Sequence, residues 1–381
     1  MKIAVIDPSL FTYPYDHALV QGLKNNGHEV VLFTKYLSND EQGSGDPDIK
    51  QLFYYGFQTK FMKKLPKKLF LALKGVSHFF SLIILWFALK SFKPDAIHFQ
   101  WAPLPVMDRF FIPLFRKIAP TILTVHDSSP FNNNPSSKLQ AIGSIEIFNK
   151  FDHLIVHTKS AVKTLADHGI NKSKLSIVQH GFLDSGTDNS APKSDSSPIM
   201  DFLLFGQIKP YKGVDIIINA LSDMPADMRA KCHVNIVGSP KMDMQPLFDL
   251  AENLGVESSI TWDLRFIKDN EIGELFSNAD AMILPYRDID ASGVLMQLIP
   301  VGRPIIAARI GLFAEILEDG KHGYLIDQND AKGLANSMVL LINDRKLSTQ
   351  MGKNVANLQN TIPSWQEIGK ATCEIYNNPS K

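Results

Sequence analysis

Short apolar runs alternate with longer mixed stretches along the whole chain. In the first half, the runs predict strands at residues 2–7, 28–33, 94–99, 121–125, 154–156 and 175–178. Apolar runs of this length, bounded by Gly, Pro and polar residues, are typical of buried strands. The mixed stretches between them predict helices. Strands and helices that alternate in this way indicate an α/β fold built on a doubly wound parallel sheet.

The alternation restarts after a polar segment. Residues 184–198, DSGTDNSAPKSDSSP, are rich in Ser, Asp and Pro and predict a linker. Beyond it, apolar runs predict a second set of strands at 202–205, 234–237, 260–262, 281–284, 305–307 and 324–326. We therefore expect two α/β domains, 1–183 and 199–363. Residues 364–381 are expected to form a C-terminal helix that packs back on the first domain. Ligands of such proteins tend to bind in the cleft between the domains.

Composition narrows the function only slightly. The 381 residues contain 39 Lys plus Arg and 39 Asp plus Glu, so the net charge gives no argument for nucleic acid or acidic partners. Cys232 and Cys373 lie far apart, lack metal-site spacing and suit a reducing compartment. Met1-Lys2 leads directly into the first predicted strand, which predicts that there is no signal peptide. We expect a cytoplasmic protein.

One segment is both basic and apolar. Residues 60–74, KFMKKLPKKLFLALK, place lysines among Phe, Met and Leu, a composition that fits a surface docking on anionic lipid at the inner membrane face. The alternative is a solvated basic loop before a core helix, and Pro66 interrupts any helical period. The most apolar run, 82–89, is shorter than the ~20 residues of a spanning helix. It predicts a buried or membrane-facing helix rather than a span.

The segment after the strand at 281–284 contains the first candidate site. A polar loop, 285–290, leads to Ser292 and Gly293, and an apolar helix follows. Ser292 is a favourable N-cap, and Gly293 lets a ligand approach the backbone. Free amides at a helix start favour an anion, and the carboxyl ends of parallel strands are where open α/β sheets bind ligands. The alternative is an ordinary strand–helix–strand crossover.

A second candidate site follows the first strand of the second domain. The segment FGQIKPYKG, residues 205–213, places Lys209 and Lys212 beside two glycines at a strand's carboxyl end. Two ammonium groups in such a turn suit a diphosphate. A solvated Lys-rich surface turn is the alternative. The Ser292 helix start belongs to the same predicted domain, which favours the phosphate interpretation.

These segments occur in the order seen in one enzyme family. After FGQIKPYKG come NIVG ending at Gly238, RFI at 265–267, ADAMILPY at 279–286, SGVLMQ at 292–297 and GRPIIA at 302–307. The first half contributes TVHD at 124–127 and VQHG at 178–181. With these motifs, the chain resembles the retaining glycosyltransferases of family 4. The resemblance implies a GT-B fold, two doubly wound Rossmann-like domains facing each other across a cleft.

The family resemblance implies a reaction and a set of donor contacts. A sugar would move from a nucleoside-diphosphate sugar (UDP- or GDP-) to a glycan or lipid-linked acceptor, with retained configuration and without a metal or other cofactor. Lys209 and Lys212 would act as catalytic groups that neutralise the diphosphate. The distal phosphate would meet the backbone of 292–294, and the base the backbone near Phe266 and Ile267. The implied donor-binding residues are Gly206, Gln207, Lys209, Lys212, Gly238, Phe266, Ile267, Asp290, Ser292, Gly293, Val294 and Gln297.

Other candidates come from the first domain. By resemblance, His126 would face the donor sugar as a catalytic residue, although a lone histidine after a strand is more often structural. Asp127 would orient that histidine or the acceptor. Asp16 and His17, which follow the first strand, are candidate acceptor contacts.

The chain departs from the family pattern at several positions. Members usually carry two glutamates seven residues apart, which here fall on Ile289 and Gln297, and Asp288 or Asp290 is the candidate substitute for the first. Gln207 stands in place of a common arginine. The carboxylate pair Asp288 and Asp290 has metal-binding spacing but is a thin ligand set, so we expect no metal site.

Two other functions remain open at this stage. The altered glutamate pair is compatible with a non-catalytic relative that binds a nucleotide sugar or acts as a scaffold. A nucleotide-sugar epimerase of GT-B fold is the other alternative, and it would need a carboxylate set that the sequence does not show.

Overall fold

The computed structural model describes residues 1–128, 143–183 and 197–378. The predicted linker therefore lies outside the described residues except for 197 and 198. By its internal contacts the chain divides into two compact units, one formed by Met1–Gly181 with Pro363–Lys381 and the other by Phe182–Ile362.

The first unit is built on a seven-stranded parallel sheet. Its strands are β1 (Lys2–Asp7), β2 (Glu29–Lys35), β3 (Ile49–Phe53), β4 (Ala96–Phe99), β5 (Thr121–Thr124), β6 (His153–Val156) and β7 (Leu175–Ile177). They lie in the order β3-β2-β1-β4-β5-β6-β7. The order reverses between β1 and β4, which are hydrogen-bonded neighbours. Strand β3 was not predicted, because this edge strand is buried at only one of its five positions and has no continuous apolar run.

Helices surround this sheet. They are α1 (Tyr13–Asn25), α2 (Lys60–Lys63), α3 (Lys67–Phe92), α4 (Pro105–Phe115), α5 (Ser144–Phe148) and α6 (Lys159–Asp167). Helix α3 is one continuous helix of 26 residues. The expectation that Pro66 interrupts the helical period of segment 60–74 is confirmed, because one helix ends at Lys63 and the next begins at Lys67 with Pro66 as its N-cap.

The C-terminal helix of the chain packs against α1. A Cβ atom built on Gly22 of α1 would lie 2.0 Å from the carbonyl oxygen of Trp365, and one on Gly369 would lie 2.6 Å from the backbone of Gly22. Glycine on both helices therefore permits backbone-to-backbone contact. This crossing holds residues 365–377 in the same unit as α1.

The second unit contains a six-stranded parallel sheet. Its strands are β8 (Met200–Phe205), β9 (Cys232–Val237), β10 (Ile260–Asp263), β11 (Ala281–Leu284), β12 (Ile305–Ala308) and β13 (Gly323–Ile326), and the order is β10-β9-β8-β11-β12-β13. Strands β11 and β12 are buried at every position, as continuous apolar runs predict for a sheet covered on both faces. The strand order reverses between β8 and β11, and ligands of open α/β sheets bind outside the carboxyl ends at such a point.

The second sheet is also flanked by helices. They are α7 (Val214–Asp223), α8 (Ala226–Arg229), α9 (Gln245–Asn253), α10 (Asp269–Asn278), α11 (Gly293–Leu298), α12 (Gly311–Ile316), α13 (Ala331–Asn343) and α14 (Arg345–Asn357), while α15 (Trp365–Asn377) is the C-terminal helix of the first unit. Helices α7 and α13 pack against each other and supply much of the core.

Candidate functional site

Two glycine turns meet at the carboxyl edge of the second sheet. Gly206 follows β8 with φ +112°, and Gly238 follows β9 with φ +145°. A Cβ atom on Gly238 would lie 1.9 Å from the carbonyl oxygen of Gly206. Both positions therefore require glycine, because the turns pack backbone to backbone in conformations that L side chains avoid.

Lys212 is the central charged group of this edge. Its side chain is buried, with 3% of the residue exposed. Its Nζ donates to the carbonyl oxygen of Phe205 at 3.2 Å and to the hydroxyl of Tyr286. Burial, and to a lesser degree the charge of Lys209, lowers the pKa of Lys212 to about 7. No carboxylate of the described residues contributes to this pKa, so within the described part of the chain the amino group of Lys212 is desolvated without a counter-ion.

The helix start predicted from Ser292 lies beside Gly206 and Lys212. Ser292 caps α11, and its Oγ accepts a hydrogen bond from the amide of Leu295 at 3.1 Å. A Cβ atom on Gly206 would lie 3.2 Å from Nζ of Lys212 and 3.5 Å from Cγ2 of Val294. The structure thus brings together three sequence-predicted residues, Gly206, Lys212 and Val294, from the two candidate segments.

The other predicted donor residues lie around this centre. Lys209 is half-buried, with Nζ 6.0 Å from the ring centroid of Tyr211. Gln207 is exposed, and Gln297 on α11 is half-buried. Phe266 is 73% exposed and Ile267 is buried, and both follow β10, which β9 separates from β8 in the sheet.

The loop after β11 contains two residues that the sequence did not single out. Tyr286 is fully buried, and its ring centroid lies 4.2 Å from Nζ of Lys212. Arg287 forms a two-pronged ion pair with Asp215 and donates to the carbonyl oxygen of Pro210 at 3.0 Å. Arg287 therefore ties this loop to the lysine turn. In the sequence, Arg287 is visible only as a charged residue inside a polar loop, and nothing nearby indicates that it pairs with Asp215.

A further backbone contact fixes the end of this loop. A Cβ atom on Gly311 would lie 1.9 Å from the carbonyl oxygen of Ile289, and the amide of Leu312 donates to the carbonyl oxygen of Asp290 at 3.0 Å. Burial, then the neighbouring Asp290, raises the pKa of Asp288. The described residues contain no cluster of three His, Cys, Asp or Glu that could hold a metal ion.

In the first unit, His126 follows β5. Its Nε2 lies 3.2 Å from Oε1 of Gln100, and its ring stacks on Trp101 with centroids 5.0 Å apart. Because an amide oxygen can only accept, this contact assigns the proton to Nε2. Burial, reinforced by the nearby His157, His180 and His98, lowers the pKa of His126 well below its usual value. His126 is therefore a neutral imidazole of fixed tautomer.

A pocket opens beside this histidine. It contains about 470 Å³ of empty space, part of it open to solvent, and is lined by Gln100, Trp101, Ala102, Pro105, Leu123, Thr124, Val125, His126, Asp127, Ile147 and Phe148. Asp127 thus shares the pocket of His126. Two of the lining segments, 100–102 after β4 and 125–127 after β5, directly follow strands, at the carboxyl edge where open α/β sheets bind ligands.

More histidines surround Tyr15 of α1. His157 and His180 lie 5.3 and 5.0 Å from its ring centroid, and burial lowers their pKa values to about 4 and about 3. Nε2 of His157 is buried and has no hydrogen-bond partner among the described residues.

The candidate acceptor residues differ in environment. Asp16 is completely buried, and burial with the charge of Asp7 raises its pKa well above the usual value. Thr12 donates to its Oδ1 at 3.3 Å. His17 is half-buried, with Nδ1 3.0 Å from Oδ2 of Asp46. A role of Asp16 and His17 in acceptor binding stays a prediction.

Two family models match the chain. The model of Glycosyltransferase Family 4 matches residues 15–182, and that of Glycosyl transferases group 1 matches residues 191–358. Together they cover most of both units.

Proteins named D-inositol 3-phosphate glycosyltransferase resemble the chain over much of its length. The D-inositol 3-phosphate glycosyltransferase of Nocardioides sp. is 22% identical over 289 residues, 71% of this chain and 63% of that protein. The enzyme of the same name from Corynebacterium glutamicum is 24% identical over 285 residues, 68% of this chain and 66% of that protein. The chain thus matches slightly less than two thirds of the length of these relatives.

Solved structures share the fold over almost the whole chain. HepE of Anabaena in complex with UDP-glucose has a TM-score of 0.73 at 16% identity and covers 99% of both chains. Sucrose-phosphate synthase of Thermosynechococcus elongatus has a TM-score of 0.75 at 15% identity, covering 99% of this chain and 98% of that chain. The two doubly wound sheets and these matches support an α/β, two-domain GT-B fold. The chain belongs to the group 1, family 4 glycosyltransferases.

Proposed function

We propose that the chain transfers a sugar from a nucleoside-diphosphate sugar, UDP- or GDP-linked, to a glycan or lipid-linked acceptor with retained anomeric configuration. The observation that carries this proposal is the buried ammonium group of Lys212, which has no carboxylate partner among the described residues. A buried cation without a counter-ion is costly unless a ligand supplies the negative charge. Family membership identifies a nucleotide sugar as that ligand, and HepE, of the same fold, has been crystallised with UDP-glucose.

The second unit would stabilise the leaving group. In the proposed reaction, the bond between the anomeric carbon and the diphosphate oxygen breaks, and the acceptor hydroxyl oxygen bonds to the same face of that carbon. The acceptor proton passes to the departing diphosphate. Lys212 and Lys209 would offset the negative charge that develops on this diphosphate, with the amides of 292–294 beside them. Such preorganised charge lowers the barrier only where charge grows in the transition state.

The proposed reaction is metal-independent, and the same arrangement supports this part of the proposal. Two ammonium groups at one turn can balance the two charges of a diphosphate sugar, so the proposal requires neither a metal nor another cofactor. The first unit would bind the acceptor, with His126 as a neutral hydrogen-bonding group beside the sugar and Asp127 in the same pocket. We also propose a cytoplasmic location, where nucleotide sugars are available.

A thermal-shift panel tests the donor assignment. The purified chain is melted with UDP-, GDP- and ADP-sugars, each with and without EDTA. A ligand present at about a hundredfold excess over its Kd stabilises the folded state by ~2.7 kcal/mol, which is measurable. We expect a shift with one nucleotide class that survives EDTA and disappears in Lys212→Met. The matched control is Lys231→Met, an exposed lysine just before β9 at the opposite edge of the sheet, which should keep the shift.

The results also separate the alternatives. No shift with any nucleotide sugar would contradict the donor site and favour a scaffold. A shift without sugar transfer or donor hydrolysis would favour a non-catalytic binding protein. Conversion of the bound sugar without its release would favour an epimerase. Loss of the shift in EDTA would refute metal independence.

A further inference from the structure

Helix α3 exposes a continuous apolar stripe. Leu69, Leu73, Val76, Phe80, Ile84 and Phe87 follow one another at intervals of three or four residues, and each is 39–61% exposed. This spacing places them on one face of the helix, where a rise of 1.5 Å per residue gives a stripe ~27 Å long. Single exposed apolar residues are ordinary, but a continuous apolar face marks an interaction surface.

The opposite face of α3 is anchored in the first unit. Leu82, Leu85 and Leu89 belong to its buried core. His78 lies on the same buried face, with Nδ1 2.8 Å from the hydroxyl of Tyr54 and Nε2 2.7 Å from Oδ1 of Asp108 on α4. All three of these polar residues are buried. The helix is therefore pinned to the sheet by apolar packing and by a hydrogen-bonded chain.

This anchoring decides how α3 can meet a membrane. By length and composition, α3 is the one helix in the described part of the chain that could cross a bilayer. Crossing would pull His78 away from Tyr54 and Asp108 and would remove three leucines from the core. A helix that keeps these contacts can only lie along a surface with its exposed stripe outward.

The neighbouring helix widens the apolar surface. Helix α4 packs on α3, with the ring centroids of Phe79 and Phe111 5.6 Å apart. It carries its own exposed stripe of Val106, Phe110 and Leu114, spaced four residues apart.

The charge of this region identifies the partner. Residues 60–93 contain eight lysines and no aspartate, glutamate or arginine. A second copy of the chain would bring the same positive charge against itself across a two-fold interface. An anionic bilayer instead pairs the lysines with its headgroups and the apolar stripe with its acyl chains.

We propose that the exposed face of α3 and α4 docks the chain in plane on an anionic lipid bilayer without spanning it. The docking stripe is Leu69, Leu73, Val76, Phe80, Ile84 and Phe87, and the lysines of residues 60–93 provide the attraction to the lipid charge. The proposed docking surface is larger than the basic segment predicted from the sequence, 60–74, because it includes the rest of α3 and the exposed side of α4. The proposal is independent of the donor site.

Vesicle co-sedimentation of the full chain tests this proposal. The vesicles are pure phosphatidylcholine or 7:3 phosphatidylcholine:phosphatidylglycerol, each at low and high salt. We expect binding to the anionic vesicles that weakens as salt rises. The double variant Phe80→Glu/Ile84→Glu should lower the partition coefficient at least ~tenfold, because two exposed apolar side chains that would enter the acyl region of the bilayer become charged. The control Leu340→Glu alters an exposed leucine of the second unit and should bind as the wild type does.

Three results would overturn the docking face. Equal binding to neutral and anionic vesicles would refute the role of the lysines. Full binding by Phe80→Glu/Ile84→Glu would refute the stripe. A dimer in light scattering without lipid that the double variant converts to monomer would identify a second copy as the occupant. The thermal shifts caused by nucleotide sugars, measured in parallel, should be unchanged in the double variant. A loss of membrane binding can therefore be distinguished from a loss of donor binding.

Discussion

Proton uptake on donor binding is the sharpest consequence of the Lys212 site. With a pKa of about 7, Lys212 is mostly neutral at pH 8 in the unliganded chain. A nucleoside-diphosphate sugar carries two negative charges on a diester that does not titrate near neutrality. Bound beside Lys212, it favours the ammonium form and raises the pKa of the lysine. Binding at pH 8 must therefore take up a proton.

The size of the effect follows from this pKa. At pH 8, about one tenth of Lys212 is protonated before binding, so full protonation on binding takes up about 0.9 proton per ligand. At pH 6, about nine tenths is already protonated, and the uptake falls to about 0.1. Only the protonated form attracts the ligand strongly. The donor should therefore bind roughly tenfold more tightly at pH 6 than at pH 8.

Isothermal titration calorimetry measures this uptake directly. The nucleotide sugar that gives the largest thermal shift is titrated at pH 6 and pH 8 in two buffers of different ionisation enthalpy. The dependence of the observed heat on the buffer enthalpy gives the number of protons. The control Lys231→Met should reproduce the wild-type values, whereas Lys212→Met should bind weakly and take up no proton at pH 8.

Two outcomes would refute the reasoning. Tight binding at pH 8 with no buffer dependence would mean that Lys212 is already charged before the ligand arrives. Undiminished uptake in Lys212→Met would assign the proton to another group. Either result would remove the desolvated lysine as the basis of donor binding.

The remaining predictions concern stability. Lys212 has a pKa below the 10.5 of an unfolded lysine, so the unfolded chain holds more protons between pH 7 and 10.5 and wild-type stability rises with pH in that window. The stability of Lys212→Met lacks this pH dependence. In urea unfolding, the free energy of unfolding of Lys212→Met relative to that of the wild type should therefore fall by roughly 3 kcal/mol between pH 6 and pH 9. The same difference between variant and wild type at both pH values would contradict the burial of the charge. Gly238→Ala should lower the free energy of unfolding by at least ~3 kcal/mol, because its Cβ would meet the carbonyl oxygen of Gly206. The control Gly255→Ala has open space around its Cβ and should lower it by about 1–2 kcal/mol, the cost of the left-handed backbone alone. Equal unfolding midpoints of the two variants would contradict the backbone contact. Ser292→Ala should lose about 1 kcal/mol of stability by removing the cap of α11, and Ser292→Thr should restore most of it in the same assay.

The sequence predicted the α/β class and the family because these depend on local patterns. Apolar runs such as 281–284, short and bounded by turn residues, predict strands buried on both faces, and this run is such a strand. The exposed edge strand β3 was missed for the same reason, since it buries little and shows no run. The break at Pro66 could be predicted, because proline cannot continue a helix that precedes it, and α2 and α3 are separate helices on its two sides.

The site could be predicted only in part. Lys209, Lys212 and the Ser292 helix start were visible as residue types at strand ends. Their convergence was not, because Gly206 and Val294 are 88 positions apart and meet only through the pairing of β8 with β11. Tyr286 was visible only as the last residue of a motif and Arg287 only as a charge in a polar loop, because their partners Lys212 and Asp215 lie more than 70 residues away.

By itself, the sequence determined the βα alternation, the family and the residue types available to bind a diphosphate, because hydrophobic period and turn chemistry are encoded locally. Only the tertiary structure decided that Lys212 is buried without a carboxylate partner among the described residues, that His126 is neutral, and that one face of α3 is exposed while the other is anchored. The physical reason is that pKa and exposure depend on which distant side chains and how much water surround a group. Those neighbours are set by strand order and helix packing rather than by the adjacent residues.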